Sequence, residues 1–239
     1  MIEPYYSEDG ITIYNCKCED LLDSLGPFDL LLTDPPYGVG WTKERMVSLN
    51  VNPSKQHLIS KLKDRDWDIK PGQDLIDKIV AMASKAIIFG GNHFSMPASP
   101  AWLVWDKDNG NTKFSDCELA WTNLDMSVRM MKWRRQGFRQ ENEGARREPN
   151  YHPSQKPLAV IKWALNFAVK DNRVTSVFDP YMGSGTTLVA ASIMKLDAVG
   201  IEMSREYCDI TIERLSQKTL PLAYHMNGVE AKEQELFRL

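Results

Sequence analysis

A carboxylate, two prolines and a phenol stand in a row at Asp34-Pro35-Pro36-Tyr37, directly after the apolar run Phe28-Asp29-Leu30-Leu31-Leu32-Thr33. Paired prolines remove backbone donors and stiffen a turn. The carbonyls of Asp34 and Pro35 are then fixed rather than free to satisfy themselves locally. Such a turn presents a carboxylate, a carbonyl and an aromatic face, which suits a planar base carrying an NH2 group. Each acceptor can take one amine hydrogen while the ring stacks on the base. A bare Asp-Pro-Pro is equally at home as a strand-to-loop turn capped by its Asp. The strand before it and the tyrosine after it favour the chemical reading.

A second group runs Phe178-Asp179-Pro180-Tyr181-Met182-Gly183-Ser184-Gly185-Thr186-Thr187. A strand ends in Phe-Asp-Pro, passes through Gly-x-Gly and enters a helix. The glycines permit a tight turn and close approach of backbone to a ligand. The phosphate-loop pattern ending in Lys is absent, and Leu188 stands where a dinucleotide fingerprint needs its third glycine. Alone, the segment points only to some nucleotide-like ligand. The next strand ends at Glu202, where an acid can take ribose hydroxyls. A third group, His152-Pro153-Ser154-Gln155-Lys156-Pro157, reads as an extended lead into a helix, because residues before proline avoid the helical region.

The elements that must position these groups alternate. Strands are expected at Ile11–Tyr14, Phe28–Thr33, Ala86–Phe89, Trp102–Trp105, Glu118–Trp121, Thr175–Phe178 and Ala198–Ile201. Helical patterns fall at Glu19–Leu25, Asp74–Ser84, Pro157–Val169, Thr186–Met194 and Arg205–Leu215, with further helices expected at 55–62 and from Val229. Strands alternating with helices imply an α/β fold with a mostly parallel sheet. Ligands sit beyond the C-terminal ends of such strands, where all three groups fall.

The 239 residues, 43% hydrophobic and 26% charged, suffice for one such domain, and no apolar run reaches membrane-spanning length. No secretory signal is visible at the N-terminus, so the cytoplasm is expected. Of four cysteines only Cys16 and Cys18 are close, a poor zinc pattern, so free thiols and no metal site are expected. The net charge is −3, yet residues 129–156 carry eight Lys or Arg against three Glu, and residues 43–70 seven against four acids. Trp133, Phe138 and Tyr151 lie among the first set. Cations interleaved with aromatics suit nucleic acid, which makes Lys43, Lys132, Arg134, Arg135 and Arg139 candidate contacts. A solvated surface is the plainer alternative.

Thr33 to Gly38 resembles the catalytic motif of the DNA amino-methyltransferases, and Phe178 to Thr187 resembles their cofactor loop. Val199-Gly200-Ile201-Glu202 resembles their ribose-binding strand end, and His152 to Pro157 the segment that helps hold the methionine end of the cofactor. The order, catalytic motif before cofactor loop, is that of the circularly permuted β class, and the region from Phe89 to Trp121 is similar to small phage-type members. The resemblance implies a Rossmann-like S-adenosylmethionine-dependent methyltransferase fold with a seven-stranded sheet, acting on double-stranded DNA. It assigns Asp34, Pro35, Pro36 and Tyr37 to catalysis on a flipped base. It assigns Asp34, Phe178, Asp179, Pro180, Gly183, Ser184, Gly185, Thr186, Thr187, Glu202, Ser154, Lys156 and Cys18 to the cofactor, with Ser154 and Lys156 on its carboxylate.

Asp at position 34 favours adenine N6, since cytosine-N4 members more often carry Ser or Thr there. The alternatives are cytosine N4, an RNA or protein-amide substrate, or an inactive cofactor-binding DNA-binding subunit. Members usually carry an acid near the cofactor adenine after the first strand. Here Cys16-Lys17-Cys18 stands there, so either Asp20 substitutes or a backbone group makes the contact. One methyltransferase domain is expected over 1–239, with a mobile loop at about 41–72 and a target-recognition segment at about 125–151. That segment is short, so the recognised sequence is expected to be short or to need a second subunit, such as a partner in a homodimer. His93 is expected to support a loop at a strand end, and Trp105 and Trp121 to lie in the core.

Overall fold

Leu30, Leu31 and Leu32 are all fully buried, yet Leu31 packs with a different cluster from its neighbours. Alternation along a strand sends successive side chains to opposite faces, so a strand apolar at every position must be covered twice. The same split separates Ile87 and Phe89 from Ala86 and Ile88, and Val177 from Phe178. Each such burial contributes about 1.5–3 kcal/mol. The computed structural model describes residues 2–38, 69–109, 115–134, 151, 154–170 and 173–217. The helices expected at 55–62 and from Val229 lie outside the described residues, as does most of the expected 41–72 loop.

The strands are β1 (Tyr6–Glu8), β2 (Ile11–Tyr14), β3 (Phe28–Thr33), β4 (Ala83–Phe89), β5 (Trp102–Asp106), β6 (Cys117–Thr122), β7 (Arg129–Lys132), β8 (Ser176–Asp179) and β9 (Asp197–Ile201). They form one sheet in the order β1-β2-β9-β8-β3-β4-β6-β5-β7. Pairing is parallel from β2 through β9, β8 and β3 to β4. The helices are α1 (Gln73–Ala81), α2 (Leu158–Ala168), α3 (Thr186–Ile193) and α4 (Arg205–Ser216). Helices α2, α3 and α4 cover one face through Leu165, Leu188 and Leu215. The other face is covered by Ile79 of α1 together with Leu21 and Leu22.

The mostly parallel α/β fold stands, but the expected seven strands are nine among the described residues. β1 returns on β2 through Asp9-Gly10, both with positive φ (49° and 76°), the geometry of a two-residue hairpin. β7 forms inside the basic segment, parallel to β5, with Leu103 opposite Arg129. Two boundaries also move. Glu19–Leu25 is a pair of short 3-10 turns, Cys18–Asp20 and Leu22–Ser24. Ala83 and Ser84 belong to β4, because Ala83 pairs with Phe28 and the Phe28 N–H is taken by the Met82 carbonyl at 2.9 Å.

Candidate active site

From the β3–β8 junction the strand order runs outward in both directions, and at such a point the loops beyond the strand ends part to leave a crevice. A cleft of about 980 Å3 lies there. It is lined by Asp34 to Tyr37 after β3, Gly90 after β4, Asp179 to Ser184 after β8 and Glu202 after β9. Thr33 Oγ1 donates to Asp179 Oδ1 at 2.7 Å, bridging the two central strands. The catalytic and cofactor motifs, about 145 residues apart in sequence, therefore share one cavity.

Asp34 holds two donors. Lys156 Nζ pairs with one carboxylate oxygen and the Tyr37 hydroxyl donates to the other. The Tyr37 ring stacks on His93 with centroids 4.6 Å apart and planes 15° apart. A Cβ at residue 90 would lie 2.0 Å from that ring, so Gly90, at φ 66°, is what admits it. Burial, then the charges of Asp34 and Glu118, raises the Tyr37 phenol well above its ordinary value and keeps it a donor. Burial alone would push Lys156 down, but the carboxylates of Asp34 and Glu118 outweigh it and raise the ammonium instead.

At the other end, Glu202 Oε2 accepts from the Gly183 N–H at 3.1 Å and Oε1 from the Ser204 N–H at 2.8 Å. Burial pushes its carboxyl up to about 7. Asp179, fully buried, is raised to about 6 by desolvation, against hydrogen bonds from Thr187 and Thr33 that lower it. Gly185 sits at φ 76°, where a Cβ would meet Thr211 at 2.2 Å, so the loop enters α3 pressed against α4. Gly183 lines the cleft with open space beside its Cα. An acid, a buried carboxylate and a glycine loop around an open cradle fit a nucleoside-bearing cofactor.

Pro35, Pro36, Pro180, Ser154, Thr186, Thr187 and Cys18 also line the cleft. Asp20 is exposed and outside that lining, so Cys16 to Glu19 form the wall beside Glu202. Burial pushes the Cys18 thiol up to about 12, leaving it no nucleophile at neutral pH. The Phe178 side chain does not reach the cleft. It is fully buried and stacks on Phe28 at 4.5 Å, because alternation sends it to the Leu31 face. Lys132 and Arg134 leave the far strands at the same edge and pair with Asp108 at 2.9 and 2.8 Å. Lys43, Arg135, Arg139, His152 and Pro153 lie outside the described residues.

The family described as DNA methylase matches residues 104–213. The Type II methyltransferase M.ScaI of Streptomyces caespitosus is 26% identical, over 92% of this chain and 86% of its own length. M2.MboI of Moraxella bovis, also a Type II methyltransferase, is 22% identical over 91% of this chain and 93% of its own. The PvuII cytosine-N4-specific DNA methyltransferase shares the fold, with a TM-score of 0.56 and 12% identity over 92% of this chain and 91% of its own. The chain is similar to the DNA methylases of this family over residues 104–213. Adenine-N6 and cytosine-N4 enzymes both occur in this family.

Three residues lining the cleft, Glu118, Lys107 and Gln155, and a fourth behind it, Arg214, have no role in the motif reading. Glu118 and Lys107 form a 2.7 Å ion pair beside Lys156. Gln155 Oε1 accepts from Ser184 Oγ at 3.1 Å and from the Tyr151 N–H at 3.0 Å, tying the His-Pro segment to the glycine loop. Arg214 is buried on α4, donating to the Ser184 carbonyl and, at 3.2 Å, to Thr186 Oγ1. The one signal for Arg214 is its spacing of three and six residues from the buried positions Thr211 and Cys208. Glu118 is signalled only as an acid inside an otherwise apolar strand. Trp105 and Trp121 are core residues, as their apolar runs imply.

Proposed function

We propose that this methyltransferase transfers a methyl group from S-adenosylmethionine to N6 of adenine in double-stranded DNA. The observation that carries the reading is the Asp34 carboxylate, fixed at the end of β3 by Lys156 and Tyr37, in one cleft with the glycine loop and Glu202. An ionised carboxylate oxygen has room for more than one donor. Asp34 and the Pro35 carbonyl each accept one amine hydrogen, and the Tyr37 ring offers the base a stacking face. With both hydrogens held, the nitrogen becomes more tetrahedral and its lone pair leaves conjugation with the ring. S-adenosylmethionine supplies, when bound, an electrophilic methyl group on a positively charged sulfur. Asp34, or water beside it, would take the proton that the amine nitrogen sheds on methylation. No covalent bond to the protein is needed.

Glu202 is proposed to take the ribose hydroxyls, and Ser154 with the Gly183–Gly185 loop the methionine end. Lys156 is proposed to serve Asp34 in place of the cofactor carboxylate, since its ionic partners Asp34 and Glu118 lie at the base end. Taking the base out of the duplex costs a few kcal/mol. The cations of 129–156 and 43–70 are proposed to hold the backbone meanwhile. The test is transfer of tritium from methyl-labelled cofactor to duplex DNA, against RNA in a parallel reaction. Label on DNA and not RNA is expected, and label on RNA alone would reject the reading.

A further inference from the structure

Beyond Asp34 the charges do not stop. Lys156 Nζ lies 3.1 Å from Glu118 Oε2, and Glu118 Oε1 lies 2.7 Å from Lys107 Nζ, which also donates to Ser115 Oγ at 2.9 Å. The two lysine side chains are only 7% and 6% exposed, and Glu118 and Asp34 only 20% and 23%. Aromatic rings wall the chain: Lys107 lies 5.6 Å from the Trp105 ring centroid and Lys156 5.5 Å from that of Phe89. All four charges line the cleft. They alternate in sign and sum to zero; Lys107, Glu118 and Asp34 sit at the ends of β5, β6 and β3, and Lys156 in the segment before α2.

Such a chain is a poor stabiliser. Desolvating each ion costs several kcal/mol, and apolar replacements of buried ion pairs are often as stable or more so. What an alternating chain does well is fix the position and charge of its last member. We infer that Glu118 and Lys107 are positioning residues for methyl transfer: they hold the Lys156 ammonium on Asp34 Oδ2, which turns Oδ1 toward the substrate amine. The inference rests on Asp34 being the amine acceptor.

The groups facing Lys156 are Asp34 and Tyr37 after β3 and Glu118 on β6, with Lys107 after β5 behind Glu118 and His93 behind Tyr37. Removing the Glu118 charge leaves two buried ammoniums facing each other with one carboxylate between them and the base. The Lys156 ammonium then becomes easier to deprotonate, by about one to three pH units. Replacing Lys107 as well restores the charge balance.

The test is the pH dependence of kcat for DNA methylation by the full chain and three variants. The parent is expected to hold kcat up to about pH 10, the range of an ordinary lysine. Glu118→Gln should lower kcat by about 10²-fold with little change in KM for DNA, and bring in an alkaline limb below pH 10. Glu118→Gln with Lys107→Met should move that limb back up without restoring kcat. The double variant carries no surplus charge, so it decides the matter by its kcat if the single one does not fold. Parent kcat and no new limb in folded Glu118→Gln, or parent kcat in the double variant, would overturn the inference. Asp34→Ala separates the two levels. Near-parent activity there rejects Asp34 as the amine acceptor, whereas its loss beside parent-like Glu118 variants rejects only the chain.

Discussion

Asp34 is held by a lysine and a phenol before any base arrives, so the proposed acceptor for the amine is oriented in advance. Preorganised groups of this kind contribute more to rate than to binding. Asp34→Ala is therefore expected to lower kcat by about 10²- to 10³-fold while the cofactor Kd, measured by calorimetry, stays near the parent value. Glu202 makes a pH prediction. Its carboxyl is raised to about 7 by burial, so in the free enzyme it carries a proton through much of the weakly acidic range. Ribose hydroxyls donate to the ionised form, so cofactor affinity should rise with pH until about 7 and then level, with a proton released on binding below that. Glu202→Gln should flatten the profile and weaken binding. Stability of the ligand-free fold runs the opposite way. A raised carboxyl binds its proton more tightly folded than unfolded, so its contribution falls as pH climbs from the ordinary Glu value toward 7.

At the scale of elements, the strand ends do the positioning. Gly90→Ala puts a methyl group where the Tyr37 ring lies, at a φ of 66° that L residues adopt at a cost of about 1–3 kcal/mol. A lower Tm by calorimetry and a larger relative loss of kcat are expected, since the displaced ring also hydrogen-bonds Asp34. Much of this scaffold was legible in the chain itself. Continuous apolar runs such as Leu30–Leu32 demand cover on both faces, and that alone announces a central parallel strand. The Asp9-Gly10 turn also carries a readable hairpin signal, overlooked only because β1 is three residues long. Glu118 and Arg214 were not legible. Their partners lie on other elements: Lys156 is 38 residues from Glu118, and Ser184 is 30 from Arg214. No local period encodes such meetings. Phe178 misled for the opposite reason: it leads into the glycine loop in sequence, but strand alternation turns its side chain into the core.

For the whole molecule, the charge distribution is the quantity that matters. A net charge of −3 with basic segments at 43–70 and 129–156 contrasts a body that repels DNA with two stretches of chain that attract it. Lys132 and then Arg134 hold the Asp108 carboxyl below the usual range, and both cations stand at the strand edge that borders the cleft. Replacing both with alanine should weaken DNA binding about equally for all sequences and reduce the log–log salt slope by about two, read by fluorescence anisotropy across salt concentrations. The basic segments were legible as composition, but their targets were not, because a target site is written in contacts to base edges rather than in net charge. The central claim is a methyl group placed on a base amine by Asp34. It is tested most directly by digesting duplex DNA to nucleosides after reaction with parent and Asp34→Ala enzyme and weighing the products by mass spectrometry. N6-methyladenine is expected from the parent and almost none from the variant. N4-methylcytosine as the only product, or undiminished N6-methyladenine from Asp34→Ala, would contradict it.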